Sequence, residues 1–176
     1  MTRKLLFTVA ACALPVPAQS NIRDAVVKHW NVTADFTLEV AQAMPAASYN
    51  FRPTPEEMSF GSLIAHIGAA NASACAGASG MARLPLPAKL AAWNKDEEKV
   101  DVDRETAIQY LTDTFAFCKK AVESMTIEKL DSKPNPARPT IAFETLWAYF
   151  THTAHHRGQA EVYLRLKGIK PPAYKF

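Results

Sequence analysis

The sequence predicts an all-α protein, a four-helix bundle with one long crossover connection, and three observations carry that prediction. Four stretches repeat apolar residues at steps of three and four. No segment sustains the apolar/polar alternation of a half-buried strand, and segments rich in proline and glycine separate the four stretches. The 176 residues, 48% hydrophobic and 21% charged, suffice for one domain with a sizeable core and fall short of two.

The first helix is expected from Ile22 to Ala43, where Val26, Trp30, Thr33, Phe36 (or Thr37) and Val40 form the inward stripe and Pro45 stops it. The connector Ala46 to Met58 carries Pro53 and Pro55, and Thr54-Pro55-Glu56-Glu57 reads as a capped single turn. Ser59 is the N-cap of the second helix, which uses Phe60, Leu63, Ile64, Ile67 and Ala70 and ends between Gly77 and Gly80. A connector from Ala78 to Val102 follows, with the charged run Asn94 to Lys99 read as a solvated loop. Asp103 caps the third helix, whose stripe is Ala107, Tyr110, Leu111, Thr114, Phe115, Cys118 and Val122. After a short turn at Thr126 to Leu130, the fourth helix opens past Thr140 and runs to Lys167, with Gly168 as C′ and Pro171-Pro172 preventing continuation. Phe143, Leu146, Trp147, Phe150 and Ala154 cover much of its girth and predict a buried element. A middle connector of about 25 residues permits a crossover, whereas a short hairpin would force antiparallel neighbours.

The first residues read as an export leader. Arg3 and Lys4 precede the apolar stretch Leu5 to Leu14, and Val16-Pro17-Ala18 offers small residues before a cut near Gln19. The apolar run is about half of the ~20 residues a membrane span requires, so the mature chain, residues 19–176, has no stable membrane span. The expected location is the periplasm; a lipoprotein anchored through Cys12 is the weaker alternative. Without the leader, 18 basic residues face 17 acidic ones, and the scattered lysines lack the concentrated basic face of a nucleic-acid binder. Cys75 and Cys118 lie within helical patterns, where Cys is a common buried small residue, and are read as two core thiols, with a disulfide as the minority reading.

The informative string is Thr151-His152-Thr153-Ala154-His155-His156-Arg157-Gly158-Gln159. Residues four apart on a helix share a face, so His152 and His156 can converge on one ion; His155, three from His152, is also permitted, and spacing alone does not choose. At about 100° per residue, Thr145, Tyr149, Gln159 and Tyr163 share the stripe of His152 and His156. A third ligand must come from a facing helix. His66 stands among Ser62, Ala70 and Ser73, small neighbours that leave a hollow beside the ring, while His29 reads as a boundary residue. Gln159 is a candidate to orient a ligand or a water, and Tyr149 and Tyr163 are candidate proton donors. Gly158 suggests close helix contact, and Arg157 a pair with Glu161. Glu56, Glu57 and Glu144 stand near helix starts, where the helix dipole already accounts for them, and none reads as a general base.

The segments Asn50-Phe51-Arg52-Pro53, Met58-Ser59-Phe60-Gly61, Leu63-Ile64-Ala65-His66-Ile67 and His152-Thr153-Ala154-His155-His156-Arg157-Gly158-Gln159, with the ending Leu166-Lys167-Gly168-Ile169-Lys170-Pro171-Pro172, resemble the DinB/YfiT-like family. The resemblance covers nearly the whole chain after the leader. It implies a four-helix bundle with a crossover and one divalent metal held by His66, His152 and His156, with His155 a neighbour.

Three protein ligands with an open position characterise catalytic zinc, whereas structural zinc is closed by four. All-imidazole ligation makes zinc the default; nickel, iron, manganese and copper are the alternatives. The expected function is a metal-dependent enzyme acting on a small molecule, hydrolase-like with a metal-activated water. Relatives of the family include thiol-dependent transferases, a reading weakened by export to a compartment poor in reduced thiols. The non-catalytic alternative is a metal-holding or stress-associated protein whose fourth position is closed by His29 or His155. A homodimer is an open expectation, since no heptad seam specifies one.

Overall fold

The computed structural model describes residues 17–137 and 139–176, with side chains from Ile22 onward. The greater part of the leader expected over residues 1–18, with Cys12, lies outside the described residues. Three of the helices start where the sequence supplies an acceptor for their free N–H groups. Ser59 Oγ accepts from Ser62 N at 3.2 Å and opens α2 (Phe60–Ser79). Asp103 accepts from Thr106 N at 2.9 Å and opens α3 (Arg104–Glu123). Thr126 caps the single turn α4 (Ile127–Leu130). The first helix, α1, runs Pro17–Ala43 and so begins before the expected Ile22; the last, α5, runs Ala142–Leu166. Gly80 and Gly168, both at φ +73°, terminate α2 and α5 in the left-handed conformation that glycine adopts without a Cβ penalty.

Each of α1 and α2 packs against both α3 and α5, so the four long helices form a ring in which α1 and α2 stand diagonally opposite. That arrangement is an all-α bundle whose diagonal steps are α1 to α2 and α3 to α5, whereas the long middle connector expected to carry the crossover joins the neighbours α2 and α3. Its centre is α2, almost wholly buried, because Ala65, Gly68, Ala72 and their small neighbours let α3 and α5 come close; a Cβ on Gly68 would stand 3.0 Å from the Tyr110 ring. One core cluster gathers Phe36, Val40, Phe60, Leu63 and Leu111, and a second gathers Trp30, Cys75, Cys118, Met125 and Leu146. Among the described residues no helix is long and apolar enough to cross a membrane.

Three sequence expectations are corrected here. Cys75 and Cys118 are not free thiols: their Cα atoms are 5.3 Å apart at the α2/α3 interface and the sulfurs are bonded. The fourth long helix is not buried all round. Trp147 is 58% exposed and stacks between Phe143 and Phe150, because α5 has neighbours on its inner side only. The run Asn94 to Lys99 is not simply solvated: it is pinned between buried Trp93 and buried Val102 and folds back onto α2.

Candidate metal centre

His66 lies midway along α2, and His152 and His156 stand one turn apart on α5, which packs against it. The four-residue step and the α2/α5 contact bring three ring nitrogens together. Nε2 of His152 is 3.0 Å from Nε2 of His156 and 3.3 Å from Nε2 of His66, and the candidate ligand atoms of all three lie within 4.8 Å of one another. Metal–nitrogen bonds of ~2.0–2.1 Å in tetrahedral array set neighbouring nitrogens about 3.3–3.4 Å apart. The two shorter spacings, 3.0 and 3.3 Å, are compatible with ligands of one ion.

The far side of two of these rings is fixed. Nδ1 of His66 is 2.6 Å from Glu97 Oε2, and Nδ1 of His156 is 2.7 Å from Gln159 Oε1. A carboxylate and an amide oxygen accept, so each imidazole donates from Nδ1 and turns the lone pair of Nε2 to the centre. Among the described residues, the Nδ1 atom of His152 is buried without a hydrogen-bond partner. Burial first, then the neighbouring His156, His66 and His155, pushes the His152 pKa down to about 4. Burial likewise lowers that of His156, against the opposing pull of its bond to Gln159. The two α5 rings are thus held neutral, the state in which imidazole binds a cation. Three imidazoles grouped this closely fit a borderline divalent ion.

The His66 side chain is 24% exposed, and a neighbouring cleft of about 250 Å³, lined by Ser73, Thr145 and Tyr149 but by none of the three histidines, comes nearest through Tyr149, whose ring centroid is 5.6 Å from that of His152.

Other residues singled out from the sequence fall elsewhere. His155 is exposed, its ring centroid 4.8 Å from that of His156 but outside the group of three ligand atoms, and His29 packs on Phe176. Tyr163 is buried in the core and donates to the Met58 carbonyl at 3.1 Å, so it reaches no reacting group; burial raises its pKa to about 12. Glu56, Glu57 and Glu144 are exposed. Arg157 does not pair with Glu161, which bonds Arg165 instead; it turns inward, stacks 4.5 Å over Phe36 and reaches the Thr37 hydroxyl at 3.4 Å. Gly158 mediates no helix contact, since a Cβ there would meet nothing within 4 Å. Glu97 was not among the candidates. Its signal lay in the flanks of the charged run, where Trp93 on one side and Val100 and Val102 on the other are apolar anchors unsuited to a free loop.

The model of the DinB superfamily matches residues 29–160, which span α1 to α5 and include all three histidines. The chain belongs to the DinB superfamily. Two solved DinB proteins share its architecture. A DinB-like protein from Bacillus subtilis aligns at 21% identity with a TM-score of 0.65, over 86% of this chain and 98% of the other. One from Bacillus cereus aligns at 18% identity with a TM-score of 0.68, over 86% and 97%. No curated protein matches. At these identities the likeness concerns the DinB fold, and the chemistry rests on the residues of this chain.

Proposed function

We propose that this DinB protein is a metal-dependent enzyme of hydrolase type that holds one divalent ion, zinc by default, on His66, His152 and His156. The observation that carries the reading is the convergence of three Nε2 atoms, with the Nδ1 atoms of His66 and His156 each committed to an accepting oxygen. A divalent ion on three imidazoles with an open position supplies a Lewis acid and brings the pKa of a coordinated water toward neutrality. The protein's own part is to keep the two α5 rings neutral and to fix the orientation of His66 and His156 through Glu97 and Gln159, beside a cleft whose Tyr149 stands against His152. His29 packs on Phe176, and the exposed His155 stands outside the group of three close ligand atoms, which favours an open position over one closed by a fourth imidazole.

The Cys75–Cys118 bond supports a working place in an oxidising compartment, where reduced thiol cofactors are scarce; that favours water over a thiol as the activated nucleophile. N-terminal sequencing of the mature protein tests this part, with Gln19 as the expected first residue.

Elemental analysis of wild type, His66→Ala and His152→Ala, each with and without a chelator wash, tests the site. One equivalent of metal in the wild type and little in either variant, with helical circular dichroism retained, is the expected result. A wild type without stoichiometric metal, or a His152→Ala protein that keeps it, overturns the reading.

A further inference from the structure

We propose that Arg52 is a positioning residue for the metal centre, acting at a distance by holding the segment that carries Glu97 against His66. The inference deepens the proposed metal site and rests on it. Glu97 belongs to the irregular segment between Trp93 and Val102, which crosses the outer side of α2. The ends of that segment are anchored by packing. Trp93 is buried, Ser62 donates to the Val100 carbonyl at 2.6 Å, and Val102 lies so close to α2 that a Cβ on Gly61 would stand 1.9 Å from its carbonyl oxygen.

Between those anchors Lys99 N and Val100 N donate to the Asp96 carbonyl to form a turn, which sets Glu97 on His66 and leaves Glu98 exposed. One guanidinium spans it. Arg52, in the connector that leads into α2, donates to the carbonyls of Glu57 and Glu98 and pairs with Asp101 at 2.6 Å. Glu57 belongs to the same connector as Arg52, while Glu98 and Asp101 bracket the far side of the Glu97 turn. The fork thus ties the entry of the helix bearing His66 to the loop bearing its partner, with a geometry that a single ammonium cannot reproduce.

The need for such a tie follows from magnitudes. The Glu97 side chain is 35% exposed, and a single hydrogen bond at that exposure is worth less than the entropy lost in ordering two or more loop residues, so it does not order a loop by itself. The carboxylate stays on Nδ1 because Arg52 has already restricted the backbone that presents it. Loss of an outer partner to a metal-bound histidine lowers metal affinity about 10–100-fold. The effect of Arg52 must then pass through Glu97 and vanish when Glu97 is gone.

The experiment is a double-mutant cycle on the full mature chain, with Co²⁺ titrated and read by its visible absorption, and the ring nitrogens of His66 read by ¹⁵N NMR in metal-free protein. Arg52→Ala and Glu97→Ala are each expected to weaken Co²⁺ binding about 10-fold or more, and the double variant to be no weaker than Glu97→Ala alone. Arg52→Ala is also expected to shift His66 from the Nδ1–H tautomer toward a mixture. Asp101→Asn, which removes one partner of the fork without touching the connector, shifts affinity in the same direction and serves if Arg52→Ala unfolds. Wild-type affinity and an unchanged His66 tautomer in Arg52→Ala, or additive losses in the double variant, overturn the inference. A wild type that binds no Co²⁺ defeats the metal reading instead, and the tautomer comparison still decides whether Arg52 places Glu97.

Discussion

Breaking the bond between Cys75 and Cys118 perturbs the bundle at its most heavily packed interface. The two residues are 43 apart in sequence and both fully buried. Closing a loop of that length in the unfolded chain removes about 13 cal/mol/K of conformational entropy, which is ~4 kcal/mol at 25 °C. That is a large share of the ~5–15 kcal/mol by which a domain of this size is stable. The assay compares oxidised protein with protein reduced while denatured and refolded in reductant, since the buried sulfurs are closed to reagents in the folded state. Each kcal/mol moves the midpoint of a 150–250-residue domain by ~2–4 °C, so a fall of about 8–16 °C is expected. Thiol titration of the denatured, unreduced full-length chain should find only Cys12. Three titratable thiols, or a midpoint shift under about 2 °C, would refute the reasoning.

Two glycines that look alike in sequence should behave oppositely. Gly61→Ala drives a Cβ to within 1.9 Å of the Val102 carbonyl oxygen and should cost ~1–3 kcal/mol or more in urea denaturation, whereas Gly158→Ala, with nothing within 4 Å, should gain ~0.5–1 kcal/mol. Asp103→Ala removes the α3 cap at a cost of ~1 kcal/mol. The backbone N–H of Thr106, then its hydroxyl, holds the Asp103 pKa below its ordinary value. A depressed carboxylate stabilises above its unfolded pKa of ~3.9 and loses that contribution as pH falls through the folded value. The wild-type advantage over Asp103→Ala should accordingly persist at neutral pH and shrink in acid; an equal gap at pH 7 and pH 2 contradicts this. Gln159→Leu removes the acceptor on His156 Nδ1 and should weaken metal binding ~10–100-fold in a competition titration, with unchanged affinity the opposing result.

Much of the bundle was legible because local chemistry and long-range packing agree. The caps at Ser59 and Asp103 and the stop at Gly168 are decided by a few neighbouring atoms, and the sequence states them directly. The expectation that Phe143, Trp147 and Phe150 are buried failed for a matching reason: periodicity reports how much apolar surface a helix carries, not how many neighbours it has. The disulfide was likewise illegible, since each cysteine fits its own stripe and only the α2/α3 register brings the sulfurs together. Arg157 shows the same limit. Glu161 stands at the four-residue step, yet the Phe36 face and the Thr37 hydroxyl on α1 draw the guanidinium inward.

The two supports of the three-histidine group differ in the same way, and the difference has a physical consequence. Gln159 lies three residues beyond His156 on one helix, so its bond to Nδ1 is set wherever α5 is helical. Glu97 reaches His66 across 31 residues, from a segment whose position depends on Trp93, Ser62, Gly61 and Arg52 together. The orientation of His156 is therefore secondary structure, while that of the α2 histidine is tertiary structure. A bundle whose four long helices are intact can still lack the third properly oriented imidazole. Coordination by all three rings then reports the fold of the 93–102 connector as well as the packing of α2 on α5.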